Sequence, residues 1–348
     1  MPQELSYALI TPYSLLKSRT GGIIGRLLFH PDLEFVGARM YQPSDEFVDR
    51  YIETVRGQKL EKPFETAFVN YINDHFRKNN RHGISNRTML LVFRGERANE
   101  HLRRVVGSIN RQVQGDTVRG TYGDYLEGAN GKIEFFEPAV LIGSDAETTH
   151  KQLRILVDLA ESDGGIIEDA VTFKPGERAE TTLVIIKPDS FTRPSLRPGN
   201  IIDVFSKTGL YVVGVKLLRL SVAQAEEFYG PLKEMFVDRL KGNVESVLRE
   251  RLDEAFDFDI TDENLAQMAE VLKFKNAQCE FNKIVEYMSG NSERTLESPR
   301  DRDAPGSVRA LSLLYRGVDA IRKIRERLGS TDPRKAAAGT VRSDLGYD

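Results

Sequence analysis

The sequence predicts an α+β protein made of two ferredoxin-like units, each a split βαβ with an antiparallel sheet and helices laid against it. Three observations predict it. The stretch ALITPYSLLKSRTGGIIGRLLFHPDLEFVGARMYQPS from Ala8 is echoed by LVIIKPDSFTRPSLRPGNIIDVFSKTGLYVVGVKLLRLS from Leu183. A second pair, DTVRGTYGDY from Asp116 and GTVRSDLGYD from Gly339, recurs in the same order, as an internal duplication requires. Within each copy, apolar runs and helix-period segments follow one another as strand, helix, strand, helices, strand, helix and a TVR loop.

The elements follow in order. LVIIKPD and LYVVGVKLL are β-branched runs with the composition of strands. Between them, GNIIDVFSKTG places Ile201, Ile202 and Phe205 at helical spacing and stops at Gly209. TMLLVFRGE and VRALSLLYRG are the third strands of the two copies, and GVDAIRKIRERLG is the amphipathic helix after the latter. The interval between the matched blocks is longer in the second copy. The excess falls in a charged helical insert at about 237–274 and in the loop SERTLESPRDRDAPGS. The expected organisation is a first domain over 1–160, a linker over 161–180 and a second domain over 181–348.

Composition narrows the function. The chain has 348 residues, 40% hydrophobic and 29% charged, in the range of globular proteins, and its length suits two domains. A formal net charge of −3 gives no electrostatic case for nucleic acid. No apolar stretch approaches the roughly 20 residues of a membrane span, and the N-terminus lacks the basic start and apolar core of a signal peptide. One cysteine, Cys279, fits a reducing compartment and a packing role. The expected location is the cytoplasm. The five histidines, His30, His75, His82, His101 and His150, all precede residue 151 and lack metal-ligand spacing; they are expected at the surface. Neither copy carries a GxxxxGK[ST] or GxGxxG loop.

Lys187 ends an apolar strand in IKPDSF, where a solvated strand end is the ordinary reading. FNKIVEYMSG, IRERLGSTDP and GTVRSD follow downstream, and together with IKPDSF they make the second copy resemble the nucleoside diphosphate kinase family over most of residues 181–348. The first copy resembles it more loosely over residues 6–160, through VVGSIN, GDTVRGTYGDY and AVLIGSDAE. The resemblance implies transfer of a γ-phosphate between nucleotides through a phosphohistidine, with Mg²⁺ as cofactor and nucleoside di- and triphosphates as partners. Homo-oligomers are the family's usual assembly. It assigns Lys187, Arg325 and Arg342 to the phosphates, Thr331 to phosphate or Mg²⁺, Tyr229 to the neighbourhood of the histidine, and Phe281 to the base. No protein metal ligand is implied. Arg322, Lys323 and Arg327 read as the solvated face of their helix.

In the first copy Thr11 stands at the lysine position, Tyr13 at the aspartate, Ile109 at the threonine and Ile142 at the histidine, while Arg103 and Arg119 remain. That copy is expected to be degenerate and structural. In the second copy the resemblance puts the histidine beyond Asp348, so the domain reads as C-terminally incomplete. The leading expectation is a nucleoside diphosphate kinase whose nucleophile lies past that residue. The alternative is an inactive nucleotide-binding or scaffolding pseudoenzyme.

Overall fold

The computed structural model describes residues 2–58, 60–108, 115–129, 132–167, 169, 171–239, 241–292, 296 and 298–346. Ile109 and Asp348 lie outside the described residues. The chain forms two compact units. Met1–Ile186, Ser190–Leu217 and Leu311–Asp348 make the first; Lys187–Asp189 and Leu218–Ala310 make the second. Both larger sheets belong to the first unit, and the second is mostly helical.

The first half contributes β1 (Gln3–Ile10), α1 (Pro12–Leu16), α2 (Thr20–Leu28), β2 (Glu34–Tyr41), α3 (Asp45–Arg56), α4 (Lys62–Phe76), β3 (Thr88–Glu96), α5 (Ala98–Val106) and α6 (Val118–Tyr122). A hairpin of β4 (Asp124–Glu127) and β5 (Ile133–Glu137) follows, then β6 (Val140–Leu141), α7 (Ala146–Asp158), α8 (Ala160–Asp163) and β7 (Gly164–Gly165). The sheet order is β6-β1-β3-β2-β7 with antiparallel neighbours. Without β7, this is the split βαβ order the sequence predicts.

Apolar residues run on without alternation in β1 because both faces of the sheet are covered. Ala8 and Ile10 enter one core with Ile23, Ile24 and Leu27 of α2. Tyr7 and Leu9 enter the other with Phe47, Tyr51 and Val55 of α3. Helix α3 buries one stripe at 47, 48, 51, 52 and 55, and its N-terminus is closed by the Ser44 hydroxyl, which accepts from the Phe47 N–H at 3.2 Å.

The second half adds β8 (Ala179–Ile186), α9 (Arg197–Ser206) and β9 (Tyr211–Leu218). The chain then passes through α10 (Val222–Arg239), α11 (Lys241–Ala255) and α12 (Asp262–Ser289), and ends with β10 (Ala310–Val318), α13 (Ala320–Leu328) and α14 (Val341–Leu345). Its sheet runs β8-β10-β9, the order of the first three strands of the other half. Ile201, Ile202 and Phe205 of α9 are buried, as their spacing predicts.

Within the first unit, α2 and α9 cross at their glycines. A Cβ built on Gly199 would lie 2.3 Å from the Gly21 carbonyl oxygen and 2.6 Å from the Gly25 nitrogen. Only glycine permits that approach. The two halves also meet where the Ile167 N–H donates to the Val213 carbonyl at 2.8 Å, and where Arg87 donates to the Val212 carbonyl at 3.0 Å with its guanidinium over the Tyr211 ring.

The second unit packs α10 and α11 on α12, with Leu265, Ala269, Ala277, Phe281, Val285 and Met288 buried along α12. Thr261 caps its start, and Gly290, at φ 74°, ends it. The insert expected at about 237–274 is thus the end of α10, all of α11 and the start of α12. No helix among the described residues is long and apolar enough to cross a membrane.

Three expectations change. His75 is buried, not superficial: it lies between the rings of Tyr71 (4.2 Å) and His82 (4.5 Å), and its Nδ1 is 3.0 Å from the Tyr71 carbonyl. Cys279 is exposed, because it faces away from the buried stripe of α12. The segment after residue 160 is not wholly a linker, since Gly164 and Gly165 pair with Tyr41 and Met40.

Candidate functional site

In the first unit, Arg325, Thr331 and Arg342 belong to α13, the connection after it and α14. Helix α13 ends at Gly329, whose φ of 83° only glycine adopts easily; a Cβ there would also meet the Thr340 hydroxyl at 2.5 Å. Thr340 caps α14, accepting from the Ser343 N–H at 3.4 Å. Arg342 donates to the Gly329 carbonyl at 2.9 Å, and the Gly329 N–H donates to the Arg325 carbonyl at 3.2 Å. These bonds bring α13 and α14 together. Arg325 and Thr331 are exposed. Burial pulls the Arg342 guanidinium below its usual range. Arg322 is spent on Asp319 and Glu326, both at 2.8 Å, as a solvated helix face would be.

Lys187, Tyr229 and Phe281 belong to the second unit. Lys187 is exposed just beyond β8, with its Nζ 5.5 Å from the centroid of the Tyr287 ring. Tyr287 donates from its hydroxyl to Asp189, the aspartate of the KPD turn. Tyr229 is half-buried on α10 with its ring edge-on to Phe228, and burial raises its pKa. Phe281 is only 5% exposed and packs inside the unit with Lys233 5.8 Å from its centroid, so it offers no open face to a base.

The first half repeats the α13–α14 geometry. Gly107, at φ 85°, ends α5; its N–H donates to the Arg103 carbonyl at 2.9 Å, and a Cβ on it would meet the Thr117 hydroxyl at 2.5 Å. Thr117 caps α6, and Arg119 donates to the Gly107 carbonyl at 3.0 Å and to the Val140 carbonyl at 3.1 Å. Here the arrangement borders a cavity of about 470 Å³, lined by Leu60, Phe68, Glu100, Arg103, Arg104, Arg119, Ile142 and Ser144 among others. Ile142, at the sequence position of the histidine, forms part of its wall.

The sequence reading missed this cavity, because its lining converges from 58–68, α5, α6 and the β6–α7 turn. It also missed Glu137. The carboxylate accepts from the Thr11 hydroxyl at 2.8 Å and from the Ala139 N–H at 3.0 Å, is 2% exposed, and is pushed by burial up to about 7. A lone carboxylate inside FFEPAVLI was the available signal.

The fold is α+β, with antiparallel sheets and guanidinium groups at helix ends. A family model described as nucleoside diphosphate kinase matches residues 180–247. A nucleoside diphosphate kinase of Desulfatibacillum aliphaticivorans is 31% identical over 169 residues, 49% of this chain and 78% of that protein. One from Halorhodospira halophila is 30% identical over 166 residues, 48% of this chain and 74% of that protein. The solved NDP kinase of Pyrobaculum aerophilum is 20% identical and aligns with 44% of this chain and 95% of its own at a TM-score of 0.34. On its sequence relatives, the chain belongs to the nucleoside diphosphate kinase family.

Proposed function

We propose that the protein is a nucleoside diphosphate kinase in which residues 181–348 hold the nucleotide phosphates and a histidine beyond Asp348 carries the phosphoryl group. In the first step the Pγ–O bond of a nucleoside triphosphate breaks as a P–N bond to the imidazole forms. In the second, a terminal oxygen of a nucleoside diphosphate takes the group and frees the histidine. The relationship to curated kinases of this activity, over up to 78% of their length, carries the reading.

Lys187, Arg325 and Arg342 would neutralise the phosphates, and Thr331 would contact phosphate or metal. Mg²⁺ would enter with the nucleotide, since this ion is commonly bound through substrate phosphates. The matching Arg–Gly–Thr geometry of α5–α6 and α13–α14 supports a tandem duplication, with domains over 1–160 and 181–348. Cytoplasmic location and homo-oligomeric assembly belong to the same reading.

Ile142 in the first half favours a second reading, a nucleotide-binding or scaffolding pseudoenzyme. One experiment separates the two. In the complete protein, Arg342→Ala is expected to lower phosphoryl transfer from ATP to a nucleoside diphosphate by orders of magnitude while the protein stays folded by circular dichroism. An unchanged transfer rate refutes the site assignment. Nucleotide binding by calorimetry with no transfer in the wild-type protein selects the pseudoenzyme.

A further inference from the structure

Where the two halves meet inside the first unit, they enclose a small cavity of about 30 Å³. Its lining is drawn from both. Leu15, Thr20 and Arg87 come from the first half; Ile202 of α9, Val212 of β9 and Tyr315 of β10 come from the second. Arg87 is 6% exposed and Tyr315 1%, so folding has taken a charge and a hydroxyl out of water.

Neither group is balanced by the protein. Arg87 donates to the Val212 carbonyl at 3.0 Å and lies 4.9 Å from the centroid of the Tyr211 ring, but no carboxylate pairs with it among the described residues. Burial pulls its guanidinium down to about 10, which leaves it charged at neutral pH. The Tyr315 hydroxyl is shut off from solvent with no hydrogen-bond partner among the described residues, and burial makes it hold its proton more tightly. Asp203 acts on that tyrosine from α9 without lining the cavity, and the Ser206 hydroxyl, which does line it, is spent on the Asp203 carbonyl at 2.7 Å. An enclosed cation without a counter-ion is costly, and an anion beside it relieves that cost.

Size decides which anion. One water needs roughly 10–15 Å³ of such space, so the cavity admits one or two particles of that size. A phosphate or sulfate presents four water-sized oxygens and is too large. A halide is close to water in size and fits. We propose that this cavity is a halide site, with chloride as its ordinary occupant, held between the Arg87 guanidinium and the Tyr315 hydroxyl. Because its lining comes from both halves, the ion strengthens the contact between them. The inference does not rest on the nucleotide reading.

Urea unfolding of the full chain, followed by circular dichroism, tests it with chloride exchanged for gluconate at constant ionic strength. Gluconate carries the same charge but is too large to enter. The midpoint is expected to rise as chloride replaces gluconate. Tyr315→Phe is the informative variant, since Arg87 also ties the start of β3 to β9. The Tyr315 hydroxyl has no partner to lose within the described residues, so the variant is expected to match the wild-type midpoint in gluconate. It is expected to need about tenfold more chloride for half of the gain, the value of one hydrogen bond to a charged group. A midpoint indifferent to chloride overturns the proposal and leaves water in the cavity. An equal chloride response in wild type and Tyr315→Phe also overturns it, as an effect of the ion elsewhere on the protein.

Discussion

Gly199→Ala should separate the two halves of the first unit, and the structure sets the size of the effect. The new Cβ would lie 2.3 Å from the Gly21 oxygen, 2.6 Å from the Gly25 nitrogen and 2.7 Å from the Gly25 Cα. All three neighbours are backbone atoms, so no side chain can rotate away. Ordinary contact begins near 3.4 Å, which obliges α2 and α9 to part by about 1 Å. A gap of that order forfeits a quarter to a half of each dispersion contact across the crossing. Overpacking of this kind costs about 1–3 kcal/mol. Helix propensity returns less than about 1 kcal/mol, since Gly199 sits in the first turn of α9.

The expected net loss is about 2 kcal/mol, read as a lower urea midpoint by circular dichroism and tyrosine fluorescence. Gly25→Ala is the matched control one turn along α2. Its Cβ would meet nothing closer than the Leu196 oxygen at 3.4 Å, so its midpoint should stay within about 0.5 kcal/mol of wild type or rise. An unchanged midpoint for Gly199→Ala, or an equal loss for Gly25→Ala, would refute the close crossing.

Two further outcomes follow from buried groups. The Glu137 carboxyl, raised by burial from 4.5 to about 7, keeps its proton longer in the folded state than in the unfolded one. Its contribution to stability is therefore lost as pH climbs through that interval, by about 3 kcal/mol. Glu137→Gln should flatten this part of the pH–stability curve; a variant with the wild-type slope between pH ~5 and ~7 would mean the carboxyl is not buried as described. Phe281→Ala should destabilise the helical unit by about 3–5 kcal/mol, as measured by exchange in peptides from α12. If nucleotide affinity falls while that exchange stays unchanged, Phe281 is a ligand contact instead of a core residue.

Those tests bear on what could be read from residues alone. The strands and α9 were legible because continuous apolar runs and the 201, 202, 205 spacing are local signals, and the sheet of the first half covers such runs on two faces. The bond from Arg342 to Gly329 was not legible, because it depends on a turn between helices. Phe281 was misjudged for a physical reason. Helix α12 carries apolar residues on several sides, with Val271 and Phe274 exposed while Phe281 is buried, so periodicity cannot say which face turns inward. His75 became buried through rings on its own helix and on the loop after it, and only folding brings those rings to it.

The cavity of the first half was illegible for a related reason, and the same reason makes two of its arginines differ in meaning. Arg119 ties α6 to the end of α5 and to β6 through two carbonyl bonds. Its removal would leave those acceptors without their donor, so a role in the fold alone accounts for it. Arg342 makes one of the two corresponding bonds, to the Gly329 carbonyl. The Arg103 side chain makes no such bond among the described residues and is exposed on the wall of the cavity.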